Sequence, residues 1–352
     1  MSRGCLLLTF FLLYLFSPFV GVCQQTTLEK IAPDKPQAAS GEANPDEAAE
    51  PELNRVVKPF LWKIEGEKPS YLFGTIHVSD DRVLAMHPVA REAFENSDTL
   101  FVEVKPEDTL KQMKALILPF DVKLADLLDA TTLARLDKQL EQMNPLYAGR
   151  HRPNYKIWAW PLILPNLEAQ LKNPKMEVLD FKLTSDARAK GRYVGSLENA
   201  TSQMDGLDAL TKEEQIIFLQ DSLEGMEEAD DEDIDYEAKI TNLYLKGDGE
   251  GIQAYFDEEM SDDDLPEGLA DKILKALLYD RNKEMAETIK KALKDHPDKA
   301  HFFAAGTAHF VGPNSVQQYL KEAGIEAVRV EVDNAEPDNA DNQSPAEEQT
   351  GR

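Results

Sequence analysis

Cysteine is nearly absent from this 352-residue chain. The two present, Cys5 and Cys23, both lie in or at the edge of the N-terminal apolar stretch. With that stretch removed, the chain has no disulfide, no thiolate metal site and no cysteine nucleophile, so stability must come from the core. Basic charge is also scarce. The chain has 38 Lys and Arg against 65 Asp and Glu, a net charge of -27. Nucleic-acid binding needs a basic footprint, so that class is excluded. There is no His-Glu-x-x-His, no Gly-x-Ser-x-Gly, no Walker lysine and no cysteine pair. The common signatures of zinc proteases, serine hydrolases and nucleotide binding are therefore missing.

The two ends are low in large apolar residues or set apart by composition. Residues 1–23 read as a secretory signal, with Arg3 as the basic region, residues 6–22 apolar, and small Gly21 and Cys23 before a cleavage at Gln24. An exported location follows, periplasmic or secreted, with no stable membrane span after signal removal. Lipid attachment through Cys23 is the weaker alternative, because Val22 is a poor residue before a lipidated cysteine. Residues 24–55 and 334–352 are acidic and polar, and are expected to be disordered. A folded domain is expected over 56–333.

Within that domain one phrase occurs twice. Tyr71-Leu72-Phe73 runs into Gly74-Thr75-Ile76-His77, and Phe302-Phe303-Ala304-Ala305 runs into Gly306-Thr307-Ala308-His309. Each time a strand-like apolar run ends in Gly-Thr-x-His. Each copy is followed by a helical stretch and then a strand ending Val-Glu-Val, at Glu103 and at Glu331. The pattern predicts two related strand–Gly-Thr-x-His–helix–strand halves of one sheet. A hairpin is predicted where residues 60–64 and 70–73 flank a turn holding Gly66 and Pro69.

The middle of the chain reads as helical. A helix is predicted over about 131–143, capped by Thr131 or Thr132, and another over 179–190, closed by Gly191. Residues 193–197 read as a strand ending at Glu198. Residues 247–251 are rich in glycine but lack a leading strand and a Lys-Ser/Thr, so they read as a helix connector rather than a phosphate loop. Pro266 opens a long helix to about Lys294. The acidic runs at 227–233 and 262–264 read as solvated loops or helix ends.

Four residues are candidates for chemistry. His77 and His309 stand in matching contexts, and each could ligate a metal or move a proton. Glu103 sits in a run that reads as a buried parallel strand, where a carboxylate is costly unless paired, metal-bound or functional. Arg281 falls on the apolar stripe Leu274, Leu278, Met285, Thr288 and Ala292, and is expected to reach toward Glu103, Glu198 or a bound substrate. Asn282 is expected on a different face.

At these residues the chain resembles the TraB/GumN family, which includes the Tiki proteins. The resemblance spans roughly residues 56–332. Its marks are Phe73-Gly74-Thr75-Ile76-His77, Val102-Glu103, Gly195-Ser196-Leu197-Glu198, residues 280–285 and Ala305-Gly306-Thr307-Ala308-His309. It implies a fold related to the erythromycin esterase-like and ChaN-like proteins. It also implies that His77, Glu103, Arg281 and His309 are the functional positions. Glu198 matches the family's Gly-Leu-Glu-Thr phrase, although Ser196 is inserted before Leu197 and Asn199 replaces the threonine. Tiki relatives are regarded as metal-dependent proteases.

The expected fold is thus α/β: a central mixed, mainly parallel sheet with a large helical insertion over about 105–294. The expected function is a secreted hydrolase acting on a peptide or small-molecule substrate. His77, His309 and Glu103 would bind a divalent metal (zinc, manganese or cobalt), or His and Glu would act without one. The alternative is a non-catalytic protein of the export compartment that binds a peptide, metal or haem in the same cleft.

Overall fold

The second Gly-Thr-x-His strand lies at the heart of the molecule. All six residues of His301–Gly306 are buried, as expected of a central parallel strand covered on both faces. The computed structural model describes residues 53–172, 177–232, 234–260 and 265–332. The signal, most of the linker, the 262–264 run and the whole 334–352 tail lie outside the described residues.

Six strands form one sheet in the order β4-β3-β5-β2-β1-β6. They are β1 (Leu61–Ile64), β2 (Ser70–Thr75), β3 (Thr99–Val102), β4 (Tyr193–Ser196), β5 (His301–Gly306) and β6 (Ala327–Arg329). β4, β3, β5 and β2 run parallel, while β1 is antiparallel to both β2 and β6. The hairpin is as predicted, with Leu61 opposite Phe73. The fold is a mixed, mostly parallel α/β sheet whose long insertion is helical except for β4.

The order of strands positions the site. β5 lies between β3 and β2, so the strands leading to Glu103, His309 and His77 are neighbours with their carboxyl ends at one edge. The two repeated phrases lie side by side, with Gly74 opposite Ala305 and Thr75 opposite Gly306. Thr307 donates its hydroxyl to the carbonyl oxygen of Thr75 at 2.9 Å. A Cβ on Gly74 would stand 2.7 Å from Thr307 Oγ1 and 2.8 Å from Phe60 Cβ. Glycine there is a packing requirement of two strand ends in close approach.

Local signals explain the flanking elements. Pro88 opens the Pro88–Glu95 helix, and His87 caps it by accepting from the amide of Val89. Phe94 from that helix meets Phe302 of β5 edge-on at 5.3 Å. The Ala130–Met143 helix is capped by Asp129, not by Thr131 or Thr132, because the Asp129 carboxylate accepts from both threonine amides. Gly247 has φ 69° and closes the Tyr236–Lys246 helix, as a connector should. The long C-terminal helical run begins at Leu269 and carries a π-turn at Lys275–Tyr279 before Asp280–Asp295.

Three expectations are refined. β3 ends at Val102, so Glu103 is the first residue beyond the strand rather than a member of it. Most of the 227–233 run belongs to the Lys212–Glu232 helix, where Glu227 pairs with Arg135 at 2.8 Å. Glu331, the counterpart of Glu103, is exposed at the far side of the sheet and pairs with Lys58. Both units run strand, Gly-Thr-x-His, helix, strand, but one strand separates β2 from β3 and two separate β5 from β6, and only the first unit places its glutamate inside.

Candidate active site

Seven polar side chains gather past the carboxyl ends of β2, β3, β4 and β5. They are His77, Glu103, Asp180, Glu198, Arg281, Asn282 and His309, and none exceeds 6% exposure. Open parallel sheets place ligands at this edge. Burial of so many titratable groups is costly unless each is partnered or held for function.

Arg281 organises one side. Its Nη2 donates to Glu103 Oε2 at 2.7 Å and to Glu198 Oε1 at 2.5 Å, and its Nε donates to Glu198 Oε2 at 2.7 Å. Its Nη1 donates to the Leu277 carbonyl at 2.9 Å. Leu277 lies in the π-turn, where the amide of Asp280 bonds back five residues to the carbonyl of Lys275. Such turns are frequent at functional sites. The expectation that Arg281 reaches Glu103 or Glu198 is met by both at once.

Glu103 is held from three directions. Besides Arg281, its Oε1 accepts the amide of Gly306 at 2.6 Å and lies 3.7 Å from Nε2 of His309. Burial opposes its charge, yet its neighbours outweigh burial and hold its carboxyl well below the usual carboxylate range; at physiological pH the lasting support is the Arg281 guanidinium and the Gly306 amide. Glu198 goes the other way. Burial raises its carboxyl to about 7, against the pull of Arg281, with Glu103 and Glu284 adding to the rise. One cation serves two buried acids, with two hydrogen bonds to Glu198 and one to Glu103, which also accepts the Gly306 amide.

His309 is fully buried. Its Nδ1 lies 2.5 Å from Asn282 Oδ1, while Asn282 donates its amide nitrogen to the Asn314 carbonyl at 2.8 Å. That donation leaves Asn282 its oxygen to offer, so His309 carries its proton on Nδ1 and keeps a bare Nε2. This Nε2 has no hydrogen-bond partner. Burial, followed by the charge of Arg281, pushes the His309 imidazole down to about 3, so it is neutral at physiological pH. Asn282 faces a different side of the helix from Arg281, as expected from its sequence position, yet that side is buried as well. It is buried with Met285, Ala286 and Ile289, because this helix packs on both β5 and the Val316–Glu322 helix.

His77 has no hydrogen-bond partner on either ring nitrogen. Its Nε2 lies 3.6 Å from Oδ2 of Asp180. Asp180 accepts from the Thr75 hydroxyl at 3.1 Å through Oδ1 and leaves Oδ2 unbonded. Burial raises the Asp180 carboxyl.

The structure brings the four residues expected from the sequence, His77, Glu103, Arg281 and His309, into one cluster. Sequence reading misses Asp180 and Asn282. Each lies on a buried stripe at helical spacing, Asp180 with Leu183, Thr184 and Ala187, and Asn282 with Met285, Ala286 and Ile289. A polar residue on such a stripe is the signal that finds them.

Two buried imidazoles, carboxylates and a guanidinium thus meet at the carboxyl edge of a parallel sheet. The chain belongs to the TraB/PrgY/gumN family, whose model matches residues 60–329. Among curated proteins it is 26% identical over 331 residues to Metalloprotease TIKI1 of Homo sapiens, covering 83% of this chain and 64% of that protein. It is 28% identical to Metalloprotease TIKI1 of Danio rerio, covering 76% of this chain and 62% of that protein. It is 25% identical to the Metalloprotease TIKI homolog of Nematostella vectensis, covering 79% and 68%. The chain spans less than two thirds of the length of the human and Danio rerio relatives. No solved structure matches it.

Proposed function

We propose that this chain is an exported, metal-dependent hydrolase whose substrate is a peptide or a related small molecule. The observation that carries the reading is a set of buried imidazole nitrogens without partners: both nitrogens of His77 and Nε2 of His309. Buried polar atoms are ordinarily satisfied, and an unsatisfied group points to a ligand or ion. One line of support is independent of this: the chain belongs to a family whose compared members are named metalloproteases. No helix among the described residues is long and apolar enough to cross a membrane.

The donor chemistry fits a divalent ion. Neutral imidazole and carboxylate are the ligands that zinc, manganese and cobalt accept. Ligand atoms on one ion stand roughly 3–4 Å apart, and Nε2 of His309 lies 3.7 Å from Oε1 of Glu103. Among the described residues no group of three His, Cys, Asp or Glu side chains lies close enough together to hold a metal ion, so the fit rests on the chemistry of the side chains and not on a preformed shell. Bound there, an ion would polarise the scissile carbonyl and acidify a water.

The chain's own residues supply the rest. His77 and His309 would hold the ion. Glu103, kept ionised by its neighbours, would either complete the ligand set or take the proton of the attacking water and pass it to the leaving group. Arg281 has hydrogen bonds from Nε, Nη1 and Nη2 already committed, which favours holding Glu103 in place over contacting substrate. The buried setting strengthens each of these charges.

The test is a peptidase and esterase screen of the purified full chain in zinc, manganese or cobalt, beside Glu103→Gln. Metal-dependent turnover that falls by at least about 100-fold in Glu103→Gln supports the reading. Stoichiometric ligand retention without turnover would instead make this a binding protein.

A further inference from the structure

Asp180 takes no direct part in the scheme above, yet it is placed against His77 with care. It enters from the start of the Leu179–Ala189 helix and is 1% exposed. An acidic residue in a first helical turn is ordinarily a solvated partner of the helix end. Here Thr75, two residues before His77, fixes Oδ1 through its hydroxyl at 3.1 Å. The other oxygen, Oδ2, faces Nε2 of His77 at 3.6 Å, and both atoms are buried and unbonded. The gap is under about 1 Å longer than a hydrogen bond. Closing it would satisfy two orphaned atoms at once, and hydrogen bonds within active sites are often long until a ligand binds.

The other imidazole shows the finished arrangement. Asn282, anchored by its own amide to the Asn314 carbonyl, grips His309 by Nδ1 and leaves Nε2 bare. Working histidines, whether ligands or bases, are characteristically held through the second nitrogen by a carboxylate or carbonyl oxygen. His77 lacks any such partner in the site except Asp180.

We infer that Asp180 is the positioning residue of His77: its Oδ2 receives the Nε2 proton, fixes the ring, and leaves Nδ1 as the working nitrogen. The two halves then differ in use. His77 presents Nδ1 and His309 presents Nε2, so the repeated phrases offer opposite edges of their rings to the common centre. Thr75 serves as the brace that aims the carboxylate. This rests on the proposed function only in taking His77 to be a working group.

The experiment is long-range nitrogen–proton NMR on the full chain carrying nitrogen-15 histidine, with His77 assigned by its loss in His77→Gln. The expected wild-type signal is the Nε2–H tautomer for His77 and the Nδ1–H tautomer for His309. Asp180→Asn can turn an amide proton toward Nε2, and is expected to shift His77 to the Nδ1–H tautomer. It should lower kcat on the order of 100-fold or more while moving KM less than about threefold. A wild-type His77 protonated on Nδ1 overturns the inference, and this measurement needs no variant to fold. An unchanged tautomer and an unchanged kcat in folded Asp180→Asn also overturn it. If the wild type has no hydrolytic turnover, the proposed function fails, while the tautomer of His77 still decides the role of Asp180.

Discussion

Glu103 and Arg281 meet at 2.7 Å in a place water scarcely reaches, with side chains 3% and 1% exposed. Glu198 shares the same guanidinium. Removing the cation leaves two carboxylates buried without a counter-charge. Arg281→Met is therefore expected to destabilise the fold by about 3–5 kcal/mol, read by urea denaturation at neutral pH. A loss below about 1 kcal/mol would mean the network is solvated.

The pair also sets a pH dependence. Burial lifts the Glu198 carboxyl from 4.5 to about 7 on folding, with Arg281 opposing. Between those values the folded chain holds a proton that the unfolded chain has released. This contribution to stability falls as pH rises from 4.5 to about 7. Glu198→Gln should remove that part of the slope. Glu103 has the opposite sign. Its folded value is lowered from 4.5 to about 2, so its contribution is present above 4.5 and is lost only as the pH falls toward 2. Urea midpoints measured from pH 4 to 8 test the first window, and a slope unchanged in Glu198→Gln would contradict it.

Gly74 is where the two repeated phrases touch. Gly74→Ala would drive a methyl against Thr307 and Phe60. Overpacking of this kind costs about 1–3 kcal/mol, and the expected result is a lowered Tm with β2 and β5 displaced at their carboxyl ends. A Tm equal to wild type would mean the strand ends have room to part.

The outline of this site was legible because its strands are simple. Continuous apolar runs mark β2 and β5, and Gly-Thr-x-His marks where each stops. Arg281 stood out as a charge on an apolar stripe. Asp180 did not, because an acid at a helix start satisfies the ordinary rule for that position. Asn282 was hidden by its neighbour: residues one apart on a helix diverge by about 100°, yet a helix packed on two sides buries both. The π-turn at 275–279 has no local sequence mark, since its residues are ordinary helix formers. The strand order β3-β5-β2, which makes three distant segments adjacent, is set by long-range packing and not by any one segment.

The repeat does not imply two equivalent acids. Glu331 is solvated and paired with Lys58 across the surface, where such pairs contribute little. Glu331→Gln is expected to change stability by less than about 0.5 kcal/mol and to leave turnover at the wild-type level. A large loss of turnover would place the second acid in the site.

The central claim is that His77 and His309 serve one centre. It is tested most directly by the metal content of the purified full chain, wild type beside His77→Ala and His309→Ala, after equilibration with zinc, manganese or cobalt. The expected result is stoichiometric metal in the wild type and a fall in affinity of at least about tenfold in each folded variant. Wild-type stoichiometry and affinity retained by either variant, or a wild type that binds no ion, would contradict it.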